Sequence, residues 1–144
     1  MNVRETLEML QSPAAEQLLA RLYGPEHAEE NRKRYAHVAE KFAEEYGDKD
    51  LLLFTSPGRT EISGNHTDHN HGKVLAGSIN LDCVGAAAAN HSSKVNIISE
   101  TFDQRFSVDL NDLAPSPRKA GTVDLVKGLL KGFTESGYEI GGFD

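Results

Sequence analysis

Residues 57–72 read P-G-R-T-E-I-S-G-N-H-T-D-H-N-H-G, and how this stretch is understood decides the rest of the chain. Three histidines, two carboxylates, two asparagines and an arginine stand among Gly58, Gly64 and Gly72. The Pro57-Gly58 pair is a turn signal, so the expectation is a loop at the end of a sheet. Loops held by a rigid scaffold commonly display binding side chains. By composition alone it could equally be a bland polar turn, because Gly, Asn and Asp populate those too.

On the upstream side, Leu51 to Phe54 is a short continuous apolar run, which predicts a buried strand ending at Pro57-Gly58. Three helices are predicted before it. Asn2 with Glu5 three positions on is a capping box, and Val3, Leu7 and Leu10 fall on one face. Ser12 and Pro13 start a second helix with a stripe of Ala15, Leu18, Leu19 and Leu22, ended by Gly24. Pro25 opens a third, in which Tyr35, Val38, Ala39, Phe42 and Tyr46 recur at helical spacing up to Gly47.

Downstream, the alternation of Ile79, Leu81, Cys83 and Ala87 predicts a strand from Val74 towards Asn90, although Ala86 to Ala89 also suits a helix. Val95 with Ile97, and Phe106 with Val108 and Leu110, predict two further strands. Residues 111–121, with Pro115 and Pro117, read as a loop. A last helix from about Thr122 to Ser136 turns Val126, Leu129, Leu130 and Phe133 inward. Gly128 and Gly132 inside it suggest a close packing approach. Residues 138–144 read as the lead-in to another strand.

The chain has 144 residues, 22 acidic against 15 basic, a net charge of −7 and one cysteine. An acidic chain lacks the dense basic patch that a nucleic-acid or membrane surface requires, so any phosphate must be held locally. A single cysteine makes no internal disulfide, and no long apolar stretch is present. The expected compartment is cytoplasmic.

Gly58, Arg59, Gly64, His66, Thr67, Asp68, Asn70 and Gly72 stand at the spacing of a known signature. The stretch resembles the G-R-x-N-L-I-G-E-H-x-D-Y-N-x-G of galactokinases, within the GHMP superfamily of small-molecule kinases. The likeness extends from about residue 25 over most of the chain. It implies an α+β fold like the GHMP kinase N-terminal domain, a mixed or antiparallel sheet with helices packed on one face, truncated. Residues 1–24 would be a helical extension and 25–144 an incomplete galactokinase-like domain.

The resemblance further implies ATP-dependent phosphorylation of galactose at its anomeric hydroxyl, with magnesium bound to the nucleotide. Asn65, His66 and Asp68 would hold the sugar. An ionised carboxylate such as Asp68 can accept from two vicinal hydroxyls in charge-assisted bonds. Arg59 would lie between sugar and phosphate and stabilise the charge on the transferring phosphoryl group. Bland readings stand beside these: Asp68 as a turn residue, His66 satisfied by backbone, Arg59 paired with Glu61. The chain departs from the signature at Asn65 (for Glu), Glu61 (for Asn), Ser63 (for Ile) and His69 (for Tyr), which bears on sugar identity. No glycine-serine-rich phosphate loop occurs in the sequence, so the chain alone is expected to be inactive.

Two other classes remain. A galactokinase-like sugar sensor would bind without turnover. A metal-site hydrolase would use His66, Asp68, His69 and His71, although their order differs from that of known hydrolase motifs and no second ligand cluster is evident. The expectation is no protein-bound metal.

Overall fold

The computed structural model describes residues 1–64, 70–116 and 121–144, and these separate into two units, Met1–Ala86 and Ala87–Asp144. In the first unit α1 (Val3–Leu10) carries the predicted capping box. Asn2 Oδ1 accepts from the Glu5 N–H at 2.9 Å and the Glu5 carboxylate accepts from the Asn2 N–H at 3.1 Å. Two otherwise unpaired donors of the first turn are thereby satisfied. The Val3 N–H donates to Asp48 Oδ1 at 2.9 Å, tying this helix start to the chain beyond α3.

Ser12 caps α2 (Pro13–Tyr23), and Gly24 at φ 90° ends it. Ala15 and Leu19 are buried, but Leu18 and Leu22 are exposed, so the inward stripe is narrower than the spacing predicts. Pro25–His27 forms a 3₁₀ turn, and α3 (Ala28–Tyr46) begins after it rather than at Pro25. The backbone of His27, at φ −109° and ψ 0°, does not continue an α-helical ladder. Tyr35, Ala39 and Phe42 are buried as their spacing predicts. Leu10, Leu19, Ala28 and Tyr35 form the core of this unit.

Strands β1 (Leu52–Ser63) and β2 (Leu75–Ala87) pair with each other. Phe54 lies against Gly85, Gly58 against Ile79 and Leu81, Ile62 against Gly77, and Gly64 against Lys73 and Val74. One strand advances as the other recedes, which is antiparallel pairing. β1 runs through Pro57-Gly58 instead of stopping there. Both strands of a two-stranded sheet are edges, where a proline can sit without breaking a ladder, so the turn signal is overridden.

One face of this hairpin meets the helices: Leu53 and Val84 pack against the core. On the other, Leu52, Phe54, Ile62, Leu75 and Leu81 are exposed. The alternation that predicts β2 therefore marks its outer face, with Leu81 71% exposed. The architecture is α+β with helices on one sheet face, as expected.

In the second unit β3 (Lys94–Ser99) and β4 (Gln104–Asp109) form an antiparallel hairpin in the register Val95↔Val108 and Ile97↔Phe106. Val95 and Val108 are almost fully buried against Leu130 of α4 (Thr122–Glu135). The predicted inner face of α4 is only half realised. Val126 packs on the core and Leu130 is buried, but Leu129 is 63% and Phe133 47% exposed. Those two continue Leu125 at steps of four, a row of its own on the helix surface.

Nor do Gly128 and Gly132 mark a close approach: a Cβ added at either meets nothing within 4 Å. Gly128→Ala and Gly132→Ala are each expected to stabilise the chain by up to about 1 kcal/mol, since they remove helix-interior glycines at no steric cost. Urea unfolding measures this as a raised midpoint. Pro117 and its neighbours to Ala120 lie outside the described residues.

Candidate functional site

Of the sequence-predicted site residues, Asn65, His66 and Asp68 lie outside the described residues, as do Thr67 and His69. Arg59 is described and stands on β1, exposed to solvent. By the alternation of the strand it shares the face of Leu53 and Thr55, while Ile62 belongs with Leu52 and Phe54.

The glycines of the signature explain how the stretch is held. A Cβ on Gly58 would sit 3.1 Å from the Leu81 carbonyl and 3.3 Å from the Ile79 side chain, so the strands close tightly beside Arg59. Gly64 has φ 106°, a conformation that side chains disfavour, and an added Cβ would overlap the Lys73 carbonyl and come within 2.7 Å of Val74 Cα. Glycine at 64 thus brings the end of β1 against the start of β2.

Beneath the hairpin lies a polar cluster that the sequence does not announce. The Asp82 side chain, 4% exposed, accepts from Arg34 Nη2 at 2.9 Å, from the Tyr23 hydroxyl and from Thr55 Oγ1. The Tyr35 hydroxyl lies 2.9 Å from that of Tyr23 and, since Tyr23 gives its own hydrogen to Asp82, Tyr35 is the donor. Arg34 also reaches the Asn31 amide oxygen at 2.6 Å.

These groups come from α2, α3, β1 and β2, so one carboxylate ties the hairpin to both helices. Burial pushes the Asp82 carboxyl up, but the hydrogen bonds from Thr55, Tyr23 and Arg34 together outweigh it and hold the group below the usual carboxylate range. Burial, reinforced by the bond to Asp82, pushes the Tyr23 phenol well above its ordinary value. The signal available in the sequence was a lone aspartate within an apolar strand, a place where an unpaired charge is not tolerated.

Among the described residues no three His, Cys, Asp or Glu side chains group as a metal centre. His66, Asp68 and His69 of the metal reading lie outside them. A hollow of about 500 Å³ between α1 and α3, lined by Val3, Leu7, Ala43 and Asp48, includes none of residues 57–72. Among the described residues no helix is long and apolar enough to cross a membrane.

The galactokinase galactose-binding signature matches residues 40–89, a span holding all of β1 and β2 and everything between. The galactokinase of Lactococcus lactis strain IL1403 is 37% identical over 114 residues, 77% of this chain and 28% of the relative. That of Clostridium tetani is 30% identical over 114 residues, 79% of this chain and 29% of the relative. The crystal structure of Lactococcus lactis galactokinase complexed with galactose superimposes with a TM-score of 0.61 at 38% identity, covering 72% of this chain and 28% of that one. The chain thus spans less than a third of the length of these relatives, matching their N-terminal part.

Proposed function

We propose, from the premise that this chain belongs to the galactokinase family, that it supplies the galactose-binding part of a kinase that phosphorylates galactose at its C1 hydroxyl with ATP. The observation that carries the reading is the galactose-binding signature over residues 40–89, within which Gly64 packs against Lys73 and Val74. In this reading Asn65, His66 and Asp68 hydrogen-bond the sugar hydroxyls. The C1 oxygen bonds to the γ-phosphorus as the bond to the ADP oxygen breaks, and the Arg59 guanidinium stabilises the charge spread over the transferring group. Magnesium accompanies the nucleotide. Residues 1–24 are a helical extension to a galactokinase-like domain beginning at residue 25, and the protein works in the cytoplasm.

The test joins this chain to the unmatched remainder of the Lactococcus lactis enzyme and follows galactose-dependent release of ADP. Turnover by the joined chain and none by the 144 residues alone is expected. A folded joined chain with no galactose-dependent turnover would sink the reading. Arg59→Ala in the active form is expected to lower kcat by about 10²–10³, the scale of losing one preorganised charge-stabilising group, with KM for galactose little changed.

A further inference from the structure

The two helices that precede residue 25 hold the β1–β2 hairpin at more than one level. The Val3 N–H of α1 donates to Asp48 Oδ1 at 2.9 Å, and the Leu51 N–H, just before β1, donates to the Met1 carbonyl at 2.9 Å. At the end of α2 the Tyr23 hydroxyl donates to Asp82 Oδ2, the same oxygen that accepts from Thr55 Oγ1 of β1, while Arg34 of α3 donates to Oδ1. The Tyr23 ring stands edge-on to that of Tyr35, with centroids 6.4 Å apart. Residues 1–24 thus grip the entry to β1 and, further along, the Thr55–Asp82 pair across its strands. None of them lies in the matched span of residues 40–89.

Past that pair β1 is open to solvent. From Ser56 to Ser63 every residue is exposed except the half-buried Gly58. Arg59 is among them, on the face of Thr55 and four residues further along. Relative to the helices, its guanidinium is placed by the strand that runs on from Thr55. Four residues of strand span about 13 Å, so a tilt of about 5° at Thr55 carries Arg59 about 1 Å aside. Misplacement on that scale costs about 10² in rate.

We propose that α1 and α2 form a positioning brace for phosphoryl transfer, in which Tyr23, through Asp82 and Thr55, sets where β1 carries Arg59. The proposal rests on the reading of Arg59 as the group that stabilises the transferring charge. Tyr23 acts through the strand and is a positioning residue, not a catalytic one. Tyr23→Phe is the informative change, since the ring keeps its packing on Tyr35 and only the hydroxyl that reaches Asp82 is lost. Arg34 and Thr55 still satisfy the carboxylate, so the fold survives.

In this chain joined to the unmatched remainder of the Lactococcus lactis enzyme, Tyr23→Phe is expected to lower kcat by about 10-fold, counted per folded chain by circular dichroism. In an Arg59→Ala background the same change should cost less than about 2-fold, because the group being positioned is gone. Equal factors in both backgrounds, the mark of a merely structural role, would overturn the proposal, and so would an unchanged kcat. Thr55→Val removes the other link to the same oxygen at nearly the same volume and should repeat the pattern. Amide hydrogen exchange on the 144-residue chain needs neither sugar nor nucleotide. There Tyr23→Phe should speed exchange by about 10-fold at the protected amides of residues 56–63 and leave α3 unchanged. Exchange that rises alike everywhere, or nowhere, counts against the brace whatever the turnover shows. If the joined parent chain turns over no galactose, the functional reading fails, and the exchange result still decides whether the helices set β1.

Discussion

Asp82→Ala is expected to destabilise the chain by about 3 kcal/mol, the lower end of what removal of one partner from a buried charged pair costs. The lower end applies because Arg34, 42% exposed, can turn to water once its carboxylate is gone. Tyr23 and Thr55 cannot do so as easily, since both are partly buried under the hairpin. Urea unfolding should show a lower midpoint at nearly unchanged slope. A loss under about 0.5 kcal/mol, the range of an ordinary surface change, would show that the cluster does not secure the hairpin.

The pH dependence follows from the same bonds. The folded-state pKa of Asp82 is depressed, so its contribution is present above the unfolded carboxylate value of about 4 and is lost as pH falls through the folded value. The phenol of Tyr23 is raised, so its contribution is complete below the unfolded value of about 10 and declines as pH rises beyond it. Asp82→Asn should flatten the acid side of the stability profile and Tyr23→Phe the alkaline side. Unfolding curves at pH 3, 7 and 10.5 for the three chains decide this.

Most of the elements were legible because their local signals agree. The Asn2–Glu5 capping box, the Ser12-Pro13 start and the 3.6-residue spacing of Tyr35, Ala39 and Phe42 each specify one helix, and packing then reinforces the choice. What failed to show was which side of an element faces inward. In β2 the apolar series Ile79, Leu81 and Cys83 reads as a core face, yet the helices cover Asp82 and Val84 instead. A two-stranded hairpin has two faces and this unit supplies helices for one. Periodicity reports that a face exists, not what covers it. The same holds for Leu129 and Phe133 on α4. The signature was legible as chemistry, but its residues 57–63 are strand rather than loop, because Gly58 lets β2 approach where Pro57-Gly58 read as a turn.

Asp68→Ala, made in the chain joined to the unmatched part of the Lactococcus lactis enzyme, is expected to abolish measurable galactose binding. A carboxylate accepting from two vicinal hydroxyls makes two charge-assisted bonds, each of about 1.5–3 kcal/mol. Their joint loss of about 3–6 kcal/mol raises Kd by about 10²–10⁴, enough to move a sub-millimolar sugar site beyond titration. Asp68→Asn keeps one carbonyl acceptor without the charge and should fall between the two. Isothermal titration with galactose gives the order, and circular dichroism confirms that each variant is folded. If Asp68→Ala binds galactose as the parent does, the sugar is held elsewhere and the assignment of residues 65–68 fails. If Asp68→Ala loses binding while Arg59→Ala keeps it and loses only rate, the two ends of the signature divide as proposed, sugar on the loop after Gly64 and phosphoryl charge on β1.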